Sequence, residues 1–239
     1  MIRKSLFAAN FAKLFGTATV AAAMCMAPSA HAGVLDFETP VDAPFVFAGD
    51  VLSMGNYYVE GAGTAGFVGT ISNNDACSGG GLQCPANNNG SYYAALDDGY
   101  MFFGLRNGGA FSIASLDASF IGAAATYPSV AALLYIAGYN AAGFVDEIYL
   151  SLAGPTAGNF NFATYDLTGF GGGNLFTDVL IASFACDASG NCDRTMNQAR
   201  FALDNVVTVD AAAVPEPGTL ALLGLGLAGL AGFKRRRAA

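Results

Sequence analysis

The chain has 239 residues, 54% of them hydrophobic, 12% charged and 12% aromatic, with 31 glycines and a formal charge of −8. That is too apolar for a disordered chain, and the glycines lack the strict period of collagen. Between residues 33 and 213, 17 Asp and Glu face only Arg106, Arg194 and Arg200, a formal charge of −14. This excludes nucleic-acid binding, which needs a basic face.

In chain order, residues 1–32 read as a secretory signal peptide: Arg3 and Lys4 form the basic start, Leu14 to Ala27 the apolar stretch, and Ala30-His31-Ala32 the small-x-small cleavage site. Cleavage after Ala32 leaves Gly33 as the mature N-terminus and hands the chain to the secretion machinery. His31 is the chain's only histidine, so the exported body has no imidazole for Ser-His-Asp catalysis or histidine-ligated zinc.

Residues 33–213 form one domain by length. Apolar alternation predicts strands around Val34–Glu38, Phe111–Ile113, Leu116–Ile121, Ser129–Ala137, Ile148–Leu152, Phe160–Tyr165, Asp178–Phe184 and Ala199–Val209. Gly, Asn, Asp and Pro clusters punctuate them. The expected fold is all-β, an antiparallel sandwich of jelly-roll-like form. Cys77 and Cys84, and Cys186 and Cys192, sit in Gly/Asn/Asp-rich loops. In an oxidising compartment they read as two local disulfides, Cys77–Cys84 and Cys186–Cys192.

The acids suggest one candidate site. Asp36 and Glu38 share strand parity and Asp204-Asn205 lies in the last strand, so antiparallel pairing would gather them into a set of oxygen ligands for a structural Ca²⁺. The adjacent pairs Asp97-Asp98 and Asp146-Glu147 are poor candidates for glycoside hydrolysis, because neighbours on a strand point to opposite faces. Tyr57-Tyr58, Tyr92-Tyr93 and Tyr100 are the rings available to stack on sugars in a chain without tryptophan, although packing inside the sandwich is the commoner use of such tyrosines.

Residues 214–239 read Val214-Pro215-Glu216-Pro217, then a 16-residue apolar span from Gly218 to Phe233, then Lys234-Arg235-Arg236-Arg237. The prolines bar helix before the span. As a helix the span would be about 24 Å long, a short membrane crossing, and the basic end would stay cytoplasmic. The tail resembles the PEP-CTERM sorting signals of Gram-negative exopolysaccharide producers. The resemblance implies an exosortase-type enzyme acting near Pro215-Glu216-Pro217, transient residence in the inner membrane, and a final place at the cell surface or in the extracellular matrix. The runs Cys84–Gly99 and Phe111–Phe120, with Cys186…Cys192 and Gln198–Val206, resemble a PEP-CTERM subfamily marked by Gln-Phe-x-x-Asp. Here Ala199 and Arg200 separate Gln198 from Phe201, so the run reads Arg200-Phe201-Ala202-Leu203-Asp204. The expected function is that of a non-enzymatic surface or matrix protein associated with exopolysaccharide and biofilm. The alternatives are a carbohydrate-binding jelly-roll module and, behind it, a carboxylate-based glycoside-active enzyme.

Overall fold

In the computed structural model the described residues are 32–38, 45–64, 66–73, 81–123, 125–195 and 199–211. They belong to one unit, His31–Ala211. The signal segment before Ala32, the sorting tail, Cys77 and Gln198 lie outside the described residues.

Among the described residues fifteen strands follow one another: β1 (Ala32–Leu35), β2 (Phe45–Phe47), β3 (Val51–Met54), β4 (Tyr57–Ala62), β5 (Phe67–Ser72), β6 (Leu82–Gln83), β7 (Tyr92–Ala95), β8 (Tyr100–Leu105), β9 (Phe111–Phe120), β10 (Gly122–Ala123), β11 (Val130–Asn140), β12 (Gly143–Ala153), β13 (Ala163–Asp166), β14 (Asp178–Ala185) and β15 (Phe201–Asp210). One sheet runs β13-β9-β15-β7-β5-β2, with β1 paired to β15; a second runs β12-β11-β14-β8-β4-β3; β10 and β6 form a small ribbon. Every pairing is antiparallel. This is the antiparallel sandwich expected from the alternation.

Period-2 patterning sets the faces. Cross-strand rows such as Val59–Phe103–Val179 and Met101–Ile181–Ile136 turn one side of the second sheet inward. There they join Ile113, Leu116, Tyr93, Phe201, Leu203 and Val206 of the first sheet in one buried cluster. The first sheet also carries a small core on its outer side, where Tyr92, Ala94, Ile121 and Ala202 pack with Leu82, Cys84 and Phe162. The 81–91 segment thereby covers part of a face that an ordinary sandwich leaves to water, and this cover creates the acidic site described next.

Candidate functional site

The acidic set assembles in part, and by a different geometry from the one expected. β1 ends at Leu35, and Phe37 has φ 55°, in the left-handed region. The strand parity of Asp36 and Glu38 is therefore lost. Asp36 Oδ1 instead accepts the Glu38 N–H at 3.2 Å, a local turn, while Glu38 swings to the 87–91 loop, where Oε1 accepts the Ser91 N–H at 2.7 Å. On β15 the register shifts after Asp204, and Asn205 has φ 48°. This bulge holds Asp204 on the covered face and leaves Asn205 exposed.

Asp204 is 5% exposed. Its Oδ1 accepts the Asn205 N–H at 2.8 Å and its Oδ2 accepts the Asn88 amide at 3.3 Å. Directly across the ladder stands Asp117, which sequence reasoning missed. Asp117 accepts the Asn205 amide at 2.9 Å and the Thr164 hydroxyl at 2.5 Å. Burial pushes the Asp204 carboxyl up to about 7; Glu38 and Asp117 push the same way, against the hydrogen bonds from the Asn205 N–H and the Asn88 amide. Glu38 and Asp117 thus both act on Asp204 as like charges, while the Asn88 and Asn205 amides bond Asp204 and Asp117. Among the described residues no three acidic, histidine or cysteine side chains close into a metal cage.

The adjacent acid pairs each diverge, Asp97-Asp98 in the turn between β7 and β8, where Asp97 has φ 54°, and Asp146-Glu147 within β12. Asp97 pairs with Arg200 at 3.5 Å, and Asp98 Oδ2 accepts the Thr64 N–H at 2.7 Å. Asp146 accepts the N–H groups of Glu147 and Gly171, each at 2.9 Å.

Of the sequence-selected tyrosines, Tyr57, Tyr92 and Tyr93 are at most 3% exposed and cannot meet a ligand. Tyr58 and Tyr100 face outward on the second sheet, beside rings that the sequence did not single out: Phe102, Tyr135, Tyr149 and Phe184. Cys186 is bonded to Cys192 as expected. Asp187 organises that loop by accepting the N–H groups of Ser189 and Asn191 at 2.8 and 2.9 Å. Those hydrogen bonds, chiefly the one from Asn191, hold its carboxyl below the usual range. Cys84 is disulfide-bonded as well.

Fold and covalent chemistry together define a disulfide-bearing antiparallel β-sandwich. The chain carries a PEP-CTERM protein-sorting motif, matched over residues 213–237. The motif implies an exported protein sorted through the membrane by exosortase-type machinery. Among solved structures, the chain is similar to a DUF4465 family protein from Bacteroides caccae ATCC 43185, with 14% identity over 76% of this chain and 100% of that one, and a TM-score of 0.50. At this identity the likeness concerns the fold alone. A family 11 carbohydrate-binding module from Clostridium thermocellum, in complex with a β-1,3-1,4-mixed-linked tetrasaccharide, aligns with 12% identity over 77% of this chain and 98% of that one at a TM-score of 0.33. No curated protein sequence matches the chain.

Proposed function

We propose that the sandwich is a non-enzymatic cargo domain that the sorting tail delivers to the surface or extracellular matrix of a Gram-negative cell, where it associates with exopolysaccharide and biofilm. The sorting motif at 213–237 carries this reading. It stands behind an acidic body with three arginines and no lysine, which suits a hydrated matrix better than a nucleic acid or an anionic membrane. On this reading the partners are the secretion machinery, the exosortase-type enzyme, the inner membrane during processing, and the polysaccharide. The test is fractionation in a Gram-negative host that has exosortase and secretes polysaccharide. The processed chain should co-sediment with the polysaccharide and be released when it is enzymatically digested. Recovery with the membrane alone, before and after digestion, would overturn the reading.

A second reading concerns the acidic site: Glu38 and Asp204, with Asn205, would hold a structural Ca²⁺, joined by Asp117 in place of Asp36. Supporting it is the position of Glu38 and Asp117, each near enough to Asp204 to act on its charge, beside a bulge whose Asn205 amide bonds Asp117. Hard oxygen donors of this kind suit a divalent cation, whose charge would relieve their repulsion. Asn205 would present its amide oxygen after a side-chain flip, which exchanges donor for acceptor.

A further inference from the structure

The outward face of the β12-β11-β14-β8-β4-β3 sheet carries seven partly exposed rings on five strands, Tyr58, Tyr100, Phe102, Tyr135, Tyr139, Tyr149 and Phe184, with the exposed Phe144 beside Tyr139. Five of them form two groups. Tyr100 and Phe102 meet edge to face at 5.9 Å. Tyr135 lies 5.0 Å from Tyr149 and 6.0 Å from Phe184. The first group lies on β8 and the second on β14, β11 and β12, so the two occupy adjoining parts of the sheet.

Polar contacts fix the rings. Tyr135 Oη donates to Glu147 Oε2 at 2.8 Å. Tyr58 Oη donates to Asp178, reaching across β8 at Gly104, where a Cβ would meet the ring at 2.8 Å. Both phenols are held protonated, by burial and then by these carboxylates. At the end of β14 the disulfide-closed loop is followed by Arg194, whose guanidinium lies 4.1 Å from the centre of the Tyr149 ring. Glu60, Glu147 and Asp178 thus surround the rings with hydrogen-bond acceptors, with Arg194 as the cation among them.

We propose that this face binds a neutral polysaccharide, its sugar rings stacked on Tyr135 and Phe184 and its hydroxyls bonded to Glu147, Asp178 and Arg194. The charge pattern selects the occupant: carboxylates accept sugar hydroxyls, whereas a polyanion would meet three negative groups against one positive. Hydrogen-bonded, mutually packed rings lose little freedom on stacking, so the face is pre-organised. The inference rests on the exopolysaccharide reading above and gives it a site and a chemistry.

The experiment is affinity electrophoresis of the full chain, purified in detergent, through gels containing dextran, hydroxyethylcellulose, galactomannan or the anionic polymer alginate. At least one neutral polymer should retard the chain. Tyr135→Ala and Phe184→Ala should each weaken retardation at least tenfold, as loss of a central aromatic contact does, with melting curves confirming that each variant folds. Phe184→Trp supplies the chain's sole indole, whose emission should shift on adding the retarding polymer. If a neutral polymer retards all variants equally and the indole does not respond, the face is refuted while the broader reading stands. Retardation by alginate alone, or a dimer dissolved by the alanine variants, would overturn the proposed chemistry. Failure of all four polymers refutes the face; if the chain also fails to co-sediment with native exopolysaccharide, both readings fall.

Discussion

The Tyr57 hydroxyl shares a 2.8 Å hydrogen bond with the Thr208 hydroxyl, joining β4 of one sheet to β15 of the other inside the core. Gly33, paired with Thr208 in the ladder, lies against this bond: a methyl group there would fall 2.1 Å from Tyr57 Oη. The residue expected at the mature N-terminus is therefore a packing element, and the Gly33–Leu35 part of β1 must keep its pairing with β15 after cleavage. Gly33→Ala should cost about 1–3 kcal/mol by overpacking. Tyr57→Phe, which strands the buried Thr208 hydroxyl, should cost about the same. Urea denaturation of the exported protein measures both, and wild-type stability in the two variants would refute the inter-sheet bond as a structural link.

Asp204 should give the calcium-free protein a distinctive pH dependence. Its carboxyl is raised in the folded state, so the folded chain keeps a proton that the unfolded chain sheds. The stabilising contribution is full below the unfolded value near 4 and is lost as pH rises through about 7. A shift of this size corresponds to at most about 4 kcal/mol. In EDTA, the melting temperature should fall between pH 5 and pH 8, and Asp204→Asn should flatten that fall and be the more stable form at pH 8. An equal fall in both proteins would place its origin elsewhere.

Calcium should reverse the penalty at high pH. Free Ca²⁺ at 100 times its dissociation constant would stabilise the fold by about 2.7 kcal/mol. For a body of this size that is several degrees of melting temperature, at about 2–4 °C per kcal/mol. The rise should be larger at pH 8 than at pH 5, where protons compete for Asp204. Asp204→Ala and Asp117→Asn should each remove it. Coincident melting curves in EDTA and in millimolar calcium would dismiss the metal reading.

The long strands β9, β11, β12, β14 and β15 were legible because each is a run of eight or more residues rich in apolar, β-branched and aromatic side chains. Strands β2 to β8 were not, being two to six residues long. The four residues of β7 are buried on both faces, so they show no period at all. The acidic site was half legible. Asp204, Asn205 and Glu38 were identified, but their expected geometry relied on a strand that stops at Leu35. Asn88 reaches Asp204 from 116 residues away, and Asp117 meets it through a register that only the folded sheet sets. Tyr135, Tyr149 and Phe184 escaped notice because each sits in a run apolar on both faces, where an outward ring looks like another core residue.

Non-reducing peptide mapping should recover Cys186 joined to Cys192, and Cys77 joined to Cys84. Closing the seven-residue 186–192 loop stabilises by roughly 2 kcal/mol in the chain-entropy model. Replacing both cysteines of that pair with serine should lower stability by up to that amount and loosen the loop preceding Arg194. Asp187→Ala should mimic part of the effect, since Asp187 holds the same loop through the Ser189 and Asn191 N–H groups. A peptide linking the two loops to each other would contradict the local pairing.

Deleting the sorting motif should alter destination and leave the fold unchanged. The described sandwich closes its sheets with residues up to Ala211, whose N–H bonds the Ala110 carbonyl at 2.8 Å, and the motif begins at residue 213. A chain ending at Ala213 should therefore be exported with Gly33 at its N-terminus, soluble, and melting at the same temperature as the processed full-length protein. The full chain should remain with the membrane in cells lacking exosortase, because its 16-residue apolar span is the strongly membrane-seeking segment left after signal removal. Replacing Pro215, Glu216 and Pro217 with alanine should produce the same retention in cells that have the enzyme. Fractionation followed by N-terminal sequencing reads all three forms. Release of the alanine variant at the wild-type rate would show that processing does not depend on this motif.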